Sequence, residues 1–506
     1  MQEPIVQNKK FILLAALLAL FLGAMDALIV SAAMPSIVTD LGGLTLYSWV
    51  YSAYFLARAV SLPVFGKLAD RYSTKGLFLF SITVFMLASF LAGAASSMSI
   101  LISARVFQGL GAGGIFALVY IVLSEISLPG ERGKTLSFAS SVWGISSIIG
   151  PTLGGVIVTY VSWRWIFFIN VPLALLSLAT IGRFLPSQTR TPKKVKLDIG
   201  GITCLSGFIL SFLTIFIIGG RNYAWFSPQI LGLGVLSVIF GVLFIAIEKR
   251  AADPVLDLRF FVRPVFALGN VAAFFASFAI FSLFAYVPLF IEGALAKTPM
   301  EVGVTMLSLS LGWSAGSLVL GRFVDGAGSR QAAILGGLFL VISSAAMLFF
   351  NPQTSLSVCF LVFLLAGLGM GFVTLSTLLL VQSDLSNVNL GVATSFHQFS
   401  RTLGGTIGVG ICGGVVTTGL LRNLQDSATM IPPAVMDLLR KSVENLFRDE
   451  FRQMLNEQSA LLLSLAVSNA LSIVFWIIFG ATLLCLASAL LLRKREHRQF
   501  NASDGF

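Results

Sequence analysis

Long apolar runs alternate with short polar connectors along the whole chain. The runs fall near 11–38, 47–65, 77–96, 98–122, 135–160, 165–185, 199–220, 228–247, 264–291, 302–321, 331–350, 356–381, 388–419 and 464–492. Each approaches the ~20 residues needed to cross a ~30 Å hydrocarbon core at ~1.5 Å per residue. They are continuous rather than alternating at every second position, which predicts helices and not barrel strands. The pattern predicts an all-α membrane protein with fourteen spans. An even count places both termini on one side.

Composition removes the competing classes. Of 506 residues, 57% are hydrophobic and 11% charged, against about a quarter charged in soluble domains. A soluble enzyme, a nucleic-acid binder and a disordered chain are excluded, so the net charge of +11 is not read as an affinity for nucleic acid. It is topological: with the N-terminus inside, 22 of the 33 Lys and Arg fall in inner loops or tails, and the short outer loops hold only Arg164, Arg221 and Lys297. That asymmetry predicts a multi-pass protein of the cell membrane with both termini cytoplasmic. The first run follows Lys9 and Lys10 like a signal peptide, but it is too long for one and contains Asp26, so it is a retained span. Cys204, Cys359, Cys412 and Cys485 all sit in apolar runs without metal-ligand spacing, so neither disulfides nor a metal are expected.

An internal repeat sets the architecture. GKLADRYSTKG at 66–76 recurs as GRFVDGAGSRQ at 321–331, which matches Asp70 with Asp325. GLGAG at 109–113 recurs as GLGMG at 367–371, and SIIGPTLGGVIV at 147–158 as GTIGVGICGGVV at 405–416. Three matches in order at nearly constant offset indicate duplication. The expected organisation is a six-helix bundle in 1–185, a linker with two extra spans in 186–260, and a second six-helix bundle in 261–506 that carries a long outer loop at 420–463.

These motifs resemble the major facilitator superfamily, in particular its fourteen-helix drug:proton antiporter branch. MDALIVSAAMP (25–35) is similar to the branch's first-helix motif. GKLADRYSTKG matches the loop between helices two and three, with Ser73 where Gly is usual. RVFQGLGAGG (105–114) matches the fourth-helix motif, and GISSIIGPTLGG (144–155) the fifth-helix antiporter motif, followed by WRWIFFINVP (163–172). Two features depart from the pattern: 388–419 has no acidic residue at its centre, and the outer segment is long for a connector. The resemblance implies two bundles rocking about a central cavity. It gives Arg105 a coupling role, and it makes Asp70 a latch that caps a neighbouring helix and pairs with basic residues. The rest of the conformational gate would be Gly66, Arg71, Asp325 and Arg330.

Two other patterns carry no chemistry. GLGAGG at 109–114 fits a dinucleotide fingerprint, but it lies inside a span with no strand before it. PGERGKT at 129–135 would need a glycine where Leu128 stands. No nucleotide site or other cofactor follows, so an ion gradient must drive any uphill transport.

Asp26 is the one carboxylate near the middle of a span. A charge there costs ~2.5–3.5 kcal/mol on insertion scales, so a functional role is the default. Burial raises a carboxylate's pKa and a nearby Arg lowers it, so a switched Arg contact would take up and release a proton. Depth counting puts Arg58, Arg105 and Arg401 in the same layer as Asp26. Arg58 is open to two readings, an ion pair with Asp26 or a contact to substrate. His397 lies one turn from Arg401 and is open to three: a second proton carrier, a substrate contact, or a structural hydrogen bond. Gly150, Pro151, Gly154 and Gly155 are expected to bend the fifth helix and make a tight interface between the halves. Val435, Leu439, Val443, Leu446, Phe447, Phe451 and Met454 recur at three or four residues after Pro432-Pro433, which predicts an amphipathic outer helix.

The expected function is a proton-coupled exporter of hydrophobic or amphiphilic small molecules, acting as a monomer in the bilayer. The alternative is a lipid or glycolipid exporter that uses the basic cavity and the outer helix 432–456.

Overall fold

A computed structural model describes residues 3–42, 46–128, 130–187, 198–220, 223–323, 328–385, 389–425 and 457–492. The helices are α1 (Glu3–Leu41), α2 (Tyr47–Arg71), α3 (Thr74–Gly93), α4 (Met98–Glu125), α5 (Arg132–Tyr160), α6 (Trp165–Phe168), α7 (Asn170–Phe184), α8 (Ile199–Ile218), α9 (Pro228–Glu248), α10 (Pro264–Leu289), α11 (Pro299–Phe323), α12 (Ser329–Met347), α13 (Leu356–Asp384), α14 (Leu390–Gln425) and α15 (Glu457–Leu491).

Among the described residues, twelve helices are long and apolar enough to cross a membrane. The expected fourteen is not supported on that measure. The two shortfalls are α2 and α5, which form helices of 25 and 29 residues. Arg58, Lys67, Asp70 and Arg71 lower the hydropathy of α2, and serines, glycines and threonines lower that of α5.

The duplication seen in the sequence is present in the packing. In the first half α4 packs on α2 and α3, α1 on α5, and α7 on α1 and α3; in the second, α13 packs on α11 and α12, α10 on α14, and α15 on α10 and α12. The glycines explain why. A Cβ on Gly109 or Gly113 would strike the α2 backbone at Tyr54 and Arg58, and one on Gly111 would strike α3 at Ser81 and Phe85. Gly367 and Gly371 press in the same way on α11 at Leu309 and Trp313, and Gly369 on α12 at Gly336. Small residues let helix backbones approach when water cannot drive them together. Helix starts repeat as well. Ser97 caps α4 through the Ile100 amide (3.3 Å) and Ser355 caps α13 through Val358 (3.4 Å), each satisfying an amide that has no partner within its helix.

The halves meet along two seams, α5 with α11 and α2 with α14. The hairpin of α8 and α9 lies beside them, with α8 against both α2 and α14.

Candidate functional site

Asp26 is fully buried, and two helices besides its own supply its partners. Arg105 of α4 donates from Nη1 to Asp26 Oδ2 at 2.6 Å, and Gln108, one turn further on, donates from Nε2 to Oδ1 at 2.7 Å. Asn170, the first residue of α7, adds a bond to Oδ1 at 3.0 Å. Arg105 Nη1 also reaches Gln108 Oε1 (2.7 Å), its Nε donates to the Val50 carbonyl (3.2 Å), and its guanidinium lies 4.2 Å from the Tyr54 ring centre. Gln108 uses its second N–H on Ser89 of α3 (2.8 Å). Charge-assisted bonds from every side replace the water that a buried carboxylate loses.

The ion pair of Asp26 with Arg58 is therefore not formed; Arg105 takes the carboxylate. Arg58 turns instead to aromatic faces, Phe55 at 4.7 Å and Phe116 at 5.0 Å, while its Nε and Nη1 have no hydrogen-bond partner. Arg401 lies 5.4 Å from the Trp313 ring centre and donates to Gln398 Oε1 at 2.9 Å. The four charges thus form two groups, Asp26 with Arg105 and Arg58 with Arg401, and the Tyr54 ring stands beside both Arg105 (4.2 Å) and Arg58 (5.8 Å). Aromatic rings bridge the second group: Phe116 to Trp143 at 5.3 Å, then Trp143 to Trp313 at 6.2 Å with planes 8° apart. His397 Nε2 pairs with Thr377 Oγ1 at 2.9 Å. The Thr377 hydroxyl hydrogen is engaged at the Val373 carbonyl (2.6 Å), so His397 donates from Nε2, and its Nδ1 has no hydrogen-bond partner.

One end of the bundle is latched. Asp70 accepts from the Gly391 and Val392 amides at 2.6 and 2.9 Å, capping α14 from another helix. Gly66 and Gly391 touch so closely that neither has room for a side chain. Arg71 and Lys67 pair with Asp253, at 3.3 and 2.6 Å. Ser124 and Gln382 join the halves at 3.1 Å. Arg330 does not join them: it bonds the Leu490 and Leu492 carbonyls, tying α12 to the end of α15. Asp325 lies outside the described residues, as does the segment 432–456 on which the lipid alternative rested.

In the GPTLGG motif, Gly150 faces α1 of its own half and not the seam. α5 runs unbroken through Pro151. A Cβ on Gly150 would sit 3.1 Å from Leu28 of α1, in the same half; Gly154 is buried, and Gly155 has open space around it. The seam with α11 is made lower on α5, where Gly144 meets Ser314 and Gly133 and Ser137 meet Gly321. Six residues separate Gly144 from Gly150, and at ~100° each they lie on different faces.

At the opposite end Asp40 accepts from Arg164 (2.6 Å) and Trp163 (3.0 Å). Those bonds, the Arg164 one foremost, hold its carboxyl below the ordinary value.

A family model described as Major Facilitator Superfamily matches residues 16–409. The chain belongs to the Major Facilitator Superfamily. Among its relatives in the superfamily, the multidrug transporter protein MdtP of Bacillus subtilis is 34% identical over 81% of this chain and 76% of its own length. Multidrug resistance protein 3 of the same organism is 31% identical over 83% and 82%, and the multidrug efflux pump SdrM of Staphylococcus aureus 30% over 79% and 88%. The human organic anion transporter MFSD10 shares the fold, with a TM-score of 0.64 over 94% of this chain and 99% of its own, at 14% identity.

Sequence reasoning had not singled out Gln108, Asn170, Ser89, Trp143, Trp313 or Asp253. Two of them were within reach: Gln108 stands one helical turn from Arg105 in RVFQG, and Asn170 is the polar residue inside WIFFINVP. The two tryptophans carry no local signal, since they come from separate halves.

Proposed function

We propose that the chain is a proton-coupled secondary exporter of the multidrug-efflux type, which moves hydrophobic or amphiphilic small molecules by alternating access. The names of its relatives support the substrate class. The observation that carries proton coupling is Asp26, a wholly buried carboxylate held by Arg105, Gln108 and Asn170. Protonation of Asp26 removes the charge that Arg105 neutralises and leaves a buried guanidinium without its counterion. That penalty, several kcal/mol for a broken buried pair, is large enough to shift a two-state equilibrium.

α2 and α5 are read as spans too, since each is packed lengthwise between spanning helices, which gives fourteen. The two bundles are 1–185 and 261–506, with 186–260 as a linker carrying two extra spans. Lys9, Lys67, Arg71 and Lys75 gather at the Asp70 end, which is assigned to the cytoplasm by the positive-inside pattern, in the cell membrane and with both termini inside. The described state is then closed inside. Opening requires release of Asp70 from α14 and of Asp253 from Lys67 and Arg71. The small residues at both seams let the bundles rock without unpacking large side chains.

The test is Asp26→Asn in proteoliposomes with an imposed pH gradient. The variant is expected to fold and to lose gradient-driven export. Full proton-driven export by a well-folded Asp26→Asn protein would overturn the assignment.

A further inference from the structure

The cluster around Arg58 and Arg401 has a chemical bias that the proton site does not explain. Arg58 and Arg401 are each 6% exposed and come from different halves. A run of rings links them: Arg58 lies over Phe116, Phe116 meets Trp143, Trp143 stacks on Trp313, and Arg401 lies over Trp313. Among the described residues no carboxylate stands within ion-pair distance of either. Two like charges buried without a counterion are costly, and proteins pair or neutralise such groups.

Unpartnered buried polar atoms on the side chains of this cluster include Arg58 Nε and Nη1, Arg401 Nε, Gln398 Nε2, Trp143 Nε1, Trp313 Nε1 and His397 Nδ1. The arginine, glutamine and tryptophan atoms are donors. All six side chains carrying these atoms come from helices that form the two seams, α2, α5, α11 and α14, and His397 and Gln398 share α14 with Arg401. Around the guanidinium groups stand the parallel Trp143 and Trp313 rings, with Phe116 and Phe281 at their edges (5.3 and 6.3 Å). Surplus donors and positive charge select an acceptor-rich anion. Flat aromatic walls select a planar apolar body.

From this we infer that the seam cluster is the substrate site and that it takes aromatic organic monoanions, with the anionic group held between Arg58 and Arg401 and the rings against Trp143 and Trp313. The inference rests on the exporter reading above for its transport role, though not for binding. A cationic drug placed here would face two guanidinium groups and no counter-charge.

The test separates the two claims. Binding of 2-naphthylacetate, its neutral amide and 2-naphthylethylammonium to the purified full-length protein is read by tryptophan fluorescence; transport of the same probes is read in proteoliposomes with a pH gradient. The acetate is expected to bind at least about tenfold more tightly than the amide and more tightly still than the ammonium. Arg58→Gln and Arg401→Gln are each expected to erase most of the difference between acid and amide, and Arg58→Lys and Arg401→Lys to keep part of it. The lysine variants also serve where a glutamine variant does not fold. Equal binding of all three probes, or preference for the ammonium, would overturn the anion assignment even with transport intact. Anion-selective binding without gradient-driven transport of any probe would uphold the site and overturn the exporter reading.

Discussion

At the offset of 258 positions that carries Gly109 onto Gly367, Arg105 falls on Phe363 and Gln108 on Ala366. In the first half this level of α4 holds a buried ion pair with Asp26 and amide partners from Gln108 and Asn170. In the second half, Phe363 meets Phe350 at 5.9 Å, and Phe350 contacts Phe290 at 5.4 Å and Phe475 at 5.8 Å. The duplicated backbones share their glycine contacts and serine caps because helix geometry demands them. Side chains at the same level have diverged, one half keeping charge and the other an apolar core. Duplication supplies the scaffold, and asymmetry supplies the chemistry.

The largest test of this contrast exchanges the chemistry at matched positions. Arg105→Ala strands the buried Asp26 carboxylate and is expected to cost about 3–5 kcal/mol and to abolish proton-driven export. Phe363→Leu is expected to cost less than about 1.5 kcal/mol and to leave coupling intact. Thermal unfolding in detergent with transport in proteoliposomes measures both, and loss of coupling in Phe363→Leu would break the contrast.

A smaller effect tests the shared scaffold. Gly109→Val and Gly367→Val each force a branched side chain into a facing backbone and are expected to destabilise by similar amounts, about 1–3 kcal/mol. Tolerance in one half alone would show that the scaffold is not shared at these contacts.

The smallest effect sits at the surface. Asp40 is tied to Arg164 and Trp163, and its counterpart by the same offset is the uncharged Thr298. A carboxyl whose folded pKa is lowered contributes stability above its ordinary value and loses it as pH falls through the lowered one. The stability difference between wild type and Asp40→Asn is therefore expected at neutral pH and to vanish in acid. Unfolding midpoints from pH 7 to below the ordinary carboxylate range (~3.9) measure it. A difference that persists in strong acid would assign the contact to packing rather than charge.

Much of the fold was legible from the chain alone. Apolar run length located the helices, because a bilayer imposes a minimum span. Glycine and motif spacing exposed the duplication. The cost of its charge in a span singled out Asp26, which the structure buries fully against Arg105. Less legible was which parts of α2 and α5 face the other half, since their apolarity falls where they meet α14 and α11.

Three matters were decided only by the tertiary structure, each because it depends on rotation about a helix axis or on residues from distant parts of the chain. Depth counting left three arginines equivalent for Asp26. The faces of α4 and α2 gave the carboxylate to Arg105 and turned Arg58 toward Phe55 and Phe116. The motif at Gly150 was expected at the seam, but its face meets α1, and the seam belongs to Gly133, Ser137 and Gly144. The Trp143–Trp313 pair joins residues 170 positions apart, so no local pattern encodes it. Run length and residue cost are properties of the sequence; the facing of side chains across two halves is a property of the assembled bundle.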